Sequence, residues 1–160
     1  MGIWDAAEAG GQASKVEQKE VDAETAAALK KALRLEAFYS ELTPEQVREV
    51  FPASGLFLYP QGSTVIAQGD TSKDLFVIRS GRVAIQQKMG FAGAEMGQLG
   101  VGELFGEMAL VRDEARVASA VAEEDSLIFR LVEADFKALL TNNAELAAHL
   151  KGLAEKRLYG

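Results

Sequence analysis

Glu103, Glu107 and Arg116 share one glycine-rich stretch, "GELFGEMALVRDEARVASAVA", at residues 102–122. Arg116 is followed by small and apolar residues, so its charge stands at the start of a strand that reads as buried. A charge in that position needs a partner. Gly106 precedes "EMALV", which reads as one short helical turn, and a glycine there lets the first backbone N–H groups approach an anion closely. Those donors have no partner within the helix, and the helix dipole favours negative charge beside them. A guanidinium fork holds two phosphate oxygens in fixed geometry. Glu107 would repel a phosphate, but its carboxylate suits a sugar hydroxyl. Together these groups describe a small pocket for a monoanionic phosphate with an attached ribose. The competing reading is internal: Arg116 pairs with Asp113 or Glu114, and the pocket is vestigial.

Other chemistries find few residues to use. The chain has no cysteine, which excludes disulfides, thiolate nucleophiles and zinc–thiolate sites. Its single histidine, His149, lies in a late helical stretch and reads as a surface or interface residue. A metal site inside a barrel needs several converging imidazole or carboxylate ligands. The β-rich segment contains no histidine, so no metal is expected. A Ser-His-Asp triad would have to use His149, with no nucleophile elbow in sight. "GVGELFG" is neither a dinucleotide fingerprint nor a Walker loop. Glu103 and Glu107 are a carboxylate pair of the kind glycoside chemistry uses, but four apart beside a turn they read as solvated or structural. No catalytic residue is expected, and the chain is not read as an enzyme. Lys and Arg total 17 against 24 Asp and Glu, a net charge of −7. That balance argues against nucleic acid and anionic membrane as partners, since both call for clustered positive charge.

The elements that must position these groups follow from the pattern of the chain. One domain with a helical extension fits 160 residues. "MGIWDAAEAGGQASK" has neither the basic nor the apolar region of a secretory signal, and Ala6 stands where a myristoylation motif wants Ser or Thr. No apolar run approaches the length of a membrane span, so a cytoplasmic protein is expected. Residues 1–20 read as a flexible tail, 21–54 as helices, and 55–160 as a barrel with terminal lid helices. Asp22 caps a helix expected over 22–38. Thr43, Pro44 and Gln46 form a capping box opening a second helix, whose buried stripe is Val47, Val50 and Phe51. From Gly55 onward come short β-favouring runs: "LFLY", "TVIA", "DLFVIRS", "RVAIQQ", "RVASAVA" and "SLIFRLV". Turn signals separate them, among them a cluster at Gly90, Gly93 and Gly97, and the spacing suggests a sandwich or jelly-roll barrel. After Val132 the helical period returns in "EADFKALL". It breaks at Thr141-Asn142-Asn143 and resumes in "AELAAHLKGLAEKRLY", with Leu146, Leu150 and Leu153 on one stripe.

The stretch "VGELFGEMALVRDEARVASAV" resembles the phosphate-binding cassette of cyclic-nucleotide-binding domains. That family's pattern is Phe-Gly-Glu-apolar-Ala-Leu, a short variable loop, then Arg, a small residue, Ala, and Thr or Ser. Phe105, Gly106, Glu107, Met108, Ala109 and Leu110 match its first half; Arg116, Ala118 and Ser119 match its second. "YPQGSTVIAQGDTSKDLFVIRSGRVAI" is similar to the family's barrel start, and the likeness runs from about residue 35 to 150. Ala115 departs from the pattern, since the residue before the arginine is usually proline.

The resemblance implies an α+β, mainly β fold: an eight-stranded jelly-roll β-barrel flanked by N- and C-terminal helices. It implies a binding site of Gly106, Glu107, Met108, Ala109, Arg116, Val117 and Ala118. Glu107 would accept a hydrogen bond from the ribose 2′-hydroxyl, and Arg116 would pair with the exocyclic phosphate oxygens. Backbone N–H groups near Ala109 and Ala118 would complete the cradle. Val117 has no hydroxyl to offer a syn guanine, which leans towards cyclic AMP (cAMP), with cyclic GMP (cGMP) the other candidate. The expected function is a stand-alone sensor or regulatory subunit acting through an unidentified protein partner, with the terminal helix swinging onto the base. Leu150, Leu153 or the stem of Arg157 would then touch it. The bland reading of that stripe is static packing. The alternative function is a degenerate domain that binds no ligand and serves as an interaction module, dimerising through its Ala- and Leu-rich N-terminal helix.

Overall fold

The computed structural model describes residues 15–89, 92–107 and 114–159. Nine strands appear among them: β1 Glu17–Lys19, β2 Gly55–Tyr59, β3 Thr64–Ile66, β4 Leu75–Ser80, β5 Val83–Met89, β6 Ala92–Leu99, β7 Leu104–Phe105, β8 Ser119–Ala122 and β9 Ser126–Leu131. They form two antiparallel sheets, ordered β1-β2-β9-β4-β7 and β3-β8-β5-β6. The two sheets do not close on each other, which corrects the expected barrel. One strand beyond expectation is β1, inside the stretch read as a tail. It adds to the edge of β2, with Gln18 opposite Phe57. Another is β6, in the glycine cluster read as turns. Antiparallel pairing with β5, Val83 opposite Leu99 through Lys88 opposite Gly93, gives its backbone the hydrogen bonds its weak side-chain propensity does not predict.

Four helices complete the chain: α1 Ala23–Ala32, α2 Pro44–Val50, α3 Glu133–Asn142 and α4 Ala144–Tyr159. Asp22 caps α1 as expected, accepting from the Thr25 N–H at 2.9 Å and the Thr25 hydroxyl at 2.7 Å. The helix stops at Ala32, six residues early. Arg34 takes the left-handed conformation (φ 53°). Leu33 and Leu35 are both fully buried, yet residues two apart on a continuous helix face nearly opposite ways. The turn at Arg34 brings both into the core. The capping box of α2 forms in full, Gln46 N–H to Thr43 Oγ1 at 3.2 Å and Thr43 N–H to Gln46 Oε1 at 2.9 Å.

The layers are helices, five-stranded sheet, four-stranded sheet. Strand β4 is buried on both faces: Leu75 and Val77 pack towards the helices, Phe76 and Ile78 towards the second sheet. Leu146, Ala147 and Leu150 of α4 are buried with Ala26 and Leu29 of α1 and Val47 of α2. The stripe on the terminal helix is therefore core, and so is the apolar face of α1. At the break, Asn143 Oδ1 accepts the Leu146 N–H at 3.2 Å as a helix cap. A buried carboxylate that the sequence did not single out, Asp135, accepts from the Ala53 N–H at 3.0 Å and the Ser54 hydroxyl at 2.5 Å. It thereby ties α3 to the loop after α2.

Candidate functional site

A cavity of about 300 Å³ opens between the four-stranded sheet and the segment from β7 to β8. Gly106, Glu107, Arg116, Val117 and Ala118 all line it. Met108 and Ala109, expected to supply backbone donors, lie outside the described residues, as does Asp113. Among the described residues, none of those lining it belongs to a helix of the terminal pair. Leu150, one candidate for covering a base, is buried in the helical core instead, and Leu153 packs partly buried against that core. The side chain of Arg157 is outside the described residues. His149 likewise stands apart from the cavity, its Nε2 2.9 Å from the Leu33 carbonyl oxygen and its ring 5.2 Å from that of Phe38.

Backbone hydrogen bonds fix where Arg116 enters. Its N–H donates to the Asp70 carbonyl at 2.6 Å, and its own carbonyl accepts from the Gly69 N–H at 2.8 Å. The side chain then reaches under β7. Nη1 donates to the Gly106 carbonyl at 3.1 Å and Nη2 to the Asp74 carbonyl at 2.7 Å. Nε is buried with no hydrogen-bond partner among the described residues. Leaving such a donor unsatisfied costs about 1–3 kcal/mol. Burial pulls the guanidinium below its ordinary pKa, and the carboxylates of Asp74, Asp70 and Glu107 counter it in that order. The group stays cationic, since an arginine does not deprotonate in a protein. Gly106 is held at φ 84°, and a Cβ on it would stand 2.8 Å from the Asp74 carbonyl oxygen and 3.3 Å from Arg116 Nη1. Only glycine lets the chain turn there without pushing the guanidinium aside.

The rest of the wall is largely apolar. Ile66, Ile85, Met96, Leu99 and Phe105 face the space, with Gln87 among them. Phe105 stacks on Phe76, ring centroids 5.1 Å apart and planes within 12°. The sequence reading missed this floor. Period-two alternation along "RVAIQQ" was the available signal, because Val83, Ile85 and Gln87 share one face of β5. Met96 had no such signal. It is the extra residue at a register shift, where Ile85 pairs with Gly97 and Gln86 with Glu95, and a bulge of this kind re-aims a side chain. Ser119 lines the cavity, and its hydroxyl accepts from the Gln68 N–H at 2.8 Å.

The arrangement suits an organic monoanion. One half-buried cation with a buried spare donor meets the charge, an apolar floor meets a flat ring, and Glu107 offers an acceptor. Among the described residues no cluster of three His, Cys, Asp or Glu could hold a metal ion. Among them also, no helix is long and apolar enough to cross a membrane.

Residues 56–143 match the family model of the cyclic nucleotide-binding domain. A cyclic AMP receptor protein of Thermus thermophilus is 37% identical over 118 residues, which are 73% of this chain and 55% of that protein. A cAMP-dependent protein kinase regulatory subunit of Aspergillus niger is 37% identical over 101 residues, 63% of this chain and 24% of the subunit. The crystal structure of the Thermus thermophilus catabolite activator protein matches with a TM-score of 0.64 at 34% identity, covering 79% of this chain and 58% of that one. The chain thus spans less than two thirds of each of these proteins. With more than half of its residues matched by the family model, and with the cassette glycine, glutamate and arginine gathered around one cavity, the chain belongs to the cyclic nucleotide-binding domain family.

Proposed function

We propose that this chain binds cAMP in the cavity beside Arg116 and acts as a regulatory module rather than as an enzyme. The observation that carries the reading is Arg116 itself. Its two Nη groups are anchored by backbone carbonyls, and its Nε is a buried donor without a partner among the described residues at the cavity wall. An exocyclic phosphate oxygen satisfies that donor and meets the guanidinium with a negative charge. Glu107 takes the ribose 2′-hydroxyl, and Ile85, Met96 and Val117 receive the base. The lack of a hydroxyl at Val117 supports adenine over guanine. The two curated relatives described above, both named for cAMP, support the same choice.

Occupancy is passed on through the terminal helices. Leu146 and Leu150 are fully buried, and freeing each would cost about 1.5–3 kcal/mol. The first turns of α4 therefore stay docked, and the part that moves begins beyond Leu150.

Isothermal titration tests the proposal. The wild-type chain binds cAMP, binds cGMP more weakly, and is stabilised by about 2.7 kcal/mol at a hundred times the dissociation constant. Arg116→Ala loses roughly 2–5 kcal/mol of binding. It also loses about 1–3 kcal/mol of stability, because two backbone carbonyls lose their donor. A wild type that binds neither nucleotide would overturn the reading.

A further inference from the structure

Asp74 meets two arginines in two different ways. Its backbone carbonyl accepts from Arg116 Nη2 at 2.7 Å. Its carboxylate, nearly fully buried, is taken elsewhere: Oδ2 accepts from Arg130 Nε at 2.6 Å and forms an ion pair with Nη2 at 2.6 Å, and Oδ1 accepts from the Glu133 N–H at 3.1 Å. Arg130 sits on β9, next to β4 in the five-stranded sheet. A buried carboxylate takes the nearest cation it can reach. Asp74's is the strongest of the charges acting to keep Arg116 protonated.

We propose that Arg130 is a positioning residue for anion binding: by holding the Asp74 carboxylate it keeps that carboxylate off Arg116 and leaves the Arg116 guanidinium to the phosphate. The inference rests on the cyclic-nucleotide reading above. The charge arithmetic is simple. Arg116, Arg130 and Asp74 together carry one net positive charge, and it is Arg130 that supplies it. Without Arg130, Arg116 and Asp74 form a neutral pair, and an incoming phosphate must displace a carboxylate. Glu107 and Asp70 also act on Arg116, so the site has no positive charge to spare. The arginine one strand away from the cavity thus sets the affinity of the arginine within it.

Two measurements on the full chain test this. In the ligand-free protein, the side-chain Nε–H resonance of Arg116 is followed by nitrogen–proton correlation. Arg130→Met should shift it and slow its exchange with water as the Asp74 carboxylate takes Arg116, and adding Asp74→Asn should return it. By titration, Arg130→Met should weaken cAMP binding about ten-fold or more, since the phosphate then competes with the Asp74 carboxylate for Arg116. Arg130→Lys should keep most of the affinity. The double variant Arg130→Met, Asp74→Asn should recover to within about three-fold of wild type, a rescue that a merely structural role for Arg130 does not give. An unmoved Arg116 resonance, unchanged affinity in Arg130→Met, or no recovery in the double variant would each overturn the inference. Should Arg130→Met fail to fold, Asp74→Asn alone decides: equal or tighter binding supports the inference, and a ten-fold loss overturns it. A wild type without affinity for either nucleotide sinks the functional reading, and the Arg116 spectrum then decides the pairing on its own.

Discussion

Gly106 Cα is held so close to the Asp74 carbonyl that a methyl group on it would stand 2.8 Å from that oxygen. The same oxygen accepts Arg116 Nη2, so the backbone turn and the guanidinium are set by one acceptor. Gly106→Ala should lower stability by about 1–2 kcal/mol for the left-handed backbone alone. It should also weaken nucleotide binding, because relieving the contact shifts the carbonyl that anchors Arg116. Gly81→Ala is the control. Gly81 is also at positive φ (104°), and its Cβ would meet Ser126 Cα at 2.6 Å, but neither residue lines the cavity. It should lower the melting temperature and leave the affinity of the remaining folded protein intact. Equal loss of affinity in both variants would mean that Gly106 has no special tie to the site.

Val117 is 49% exposed at the cavity wall, so a hydroxyl there costs no buried desolvation. Val117→Thr should raise affinity for cGMP about three- to ten-fold, the worth of one added hydrogen bond, and leave cAMP nearly unchanged. Competition titration of the two nucleotides reads this directly. A parallel rise for both would assign Val117 to general packing against the base rather than to base choice.

The cassette was legible because its chemistry is local. Gly106, Glu107, Arg116, Val117 and Ala118 lie within thirteen positions, and the structure brings them to one wall. The capping box of Thr43 and Gln46 was legible for the same reason, since both partners sit in one helical turn. What escaped was set by partners far along the chain. Strand β1 exists because the edge of β2 was open to pairing. The early end of α1 follows from burying Leu33 and Leu35 together. The Asp74–Arg130 pair spans 56 positions. The direction in which the stripe of α4 points depends on α1 and α2, which no periodicity of α4 encodes. Met96 reaches the cavity through a bulge, a feature of register between two strands rather than of either one.

Tyr59 gives the fold a signature at alkaline pH. It is completely buried, and burial pushes its hydroxyl up to about 12, with Asp74 adding to the rise and Arg130 opposing it. The unfolded chain ionises near 10. Between those values the folded state keeps a proton that the unfolded state has lost, so stability falls as pH rises. The contribution is fully present below pH 10 and gone above about 12. A shift of this size corresponds to roughly 3 kcal/mol. Urea unfolding at pH 9, 10, 11 and 12 should show the loss, and Tyr59→Phe should flatten the part of the slope that Tyr59 carries. An unchanged slope in Tyr59→Phe would place the alkaline sensitivity elsewhere.

The movement of α4 can be located by hydrogen exchange. Leu146, Ala147 and Leu150 are buried against α1 and α2, and His149 meets the Leu33 carbonyl from the same side. Amides over residues 144–150 should therefore exchange slowly with or without cAMP, because opening them means lifting two leucines out of the core. Beyond Leu150 the helix is held less. Lys151, Gly152, Glu155 and Lys156 are exposed, and Ala154 is the one fully buried side chain among residues 151–156. Gly152, in the helix interior, weakens this part further by about 1 kcal/mol relative to alanine. Ligand should slow exchange at 103–107 and 114–120, where it touches the cavity, and change it again at 151–159, where the helix is loose enough to respond. Gly152→Ala should stiffen the segment and shrink the second change while sparing the first. Protection confined to the cavity segments, with 151–159 indifferent to cAMP, would show that the terminal helix takes no part in the response. A change spread through 144–150 as well would mean that the whole helix leaves the core, at a cost the buried leucines argue against.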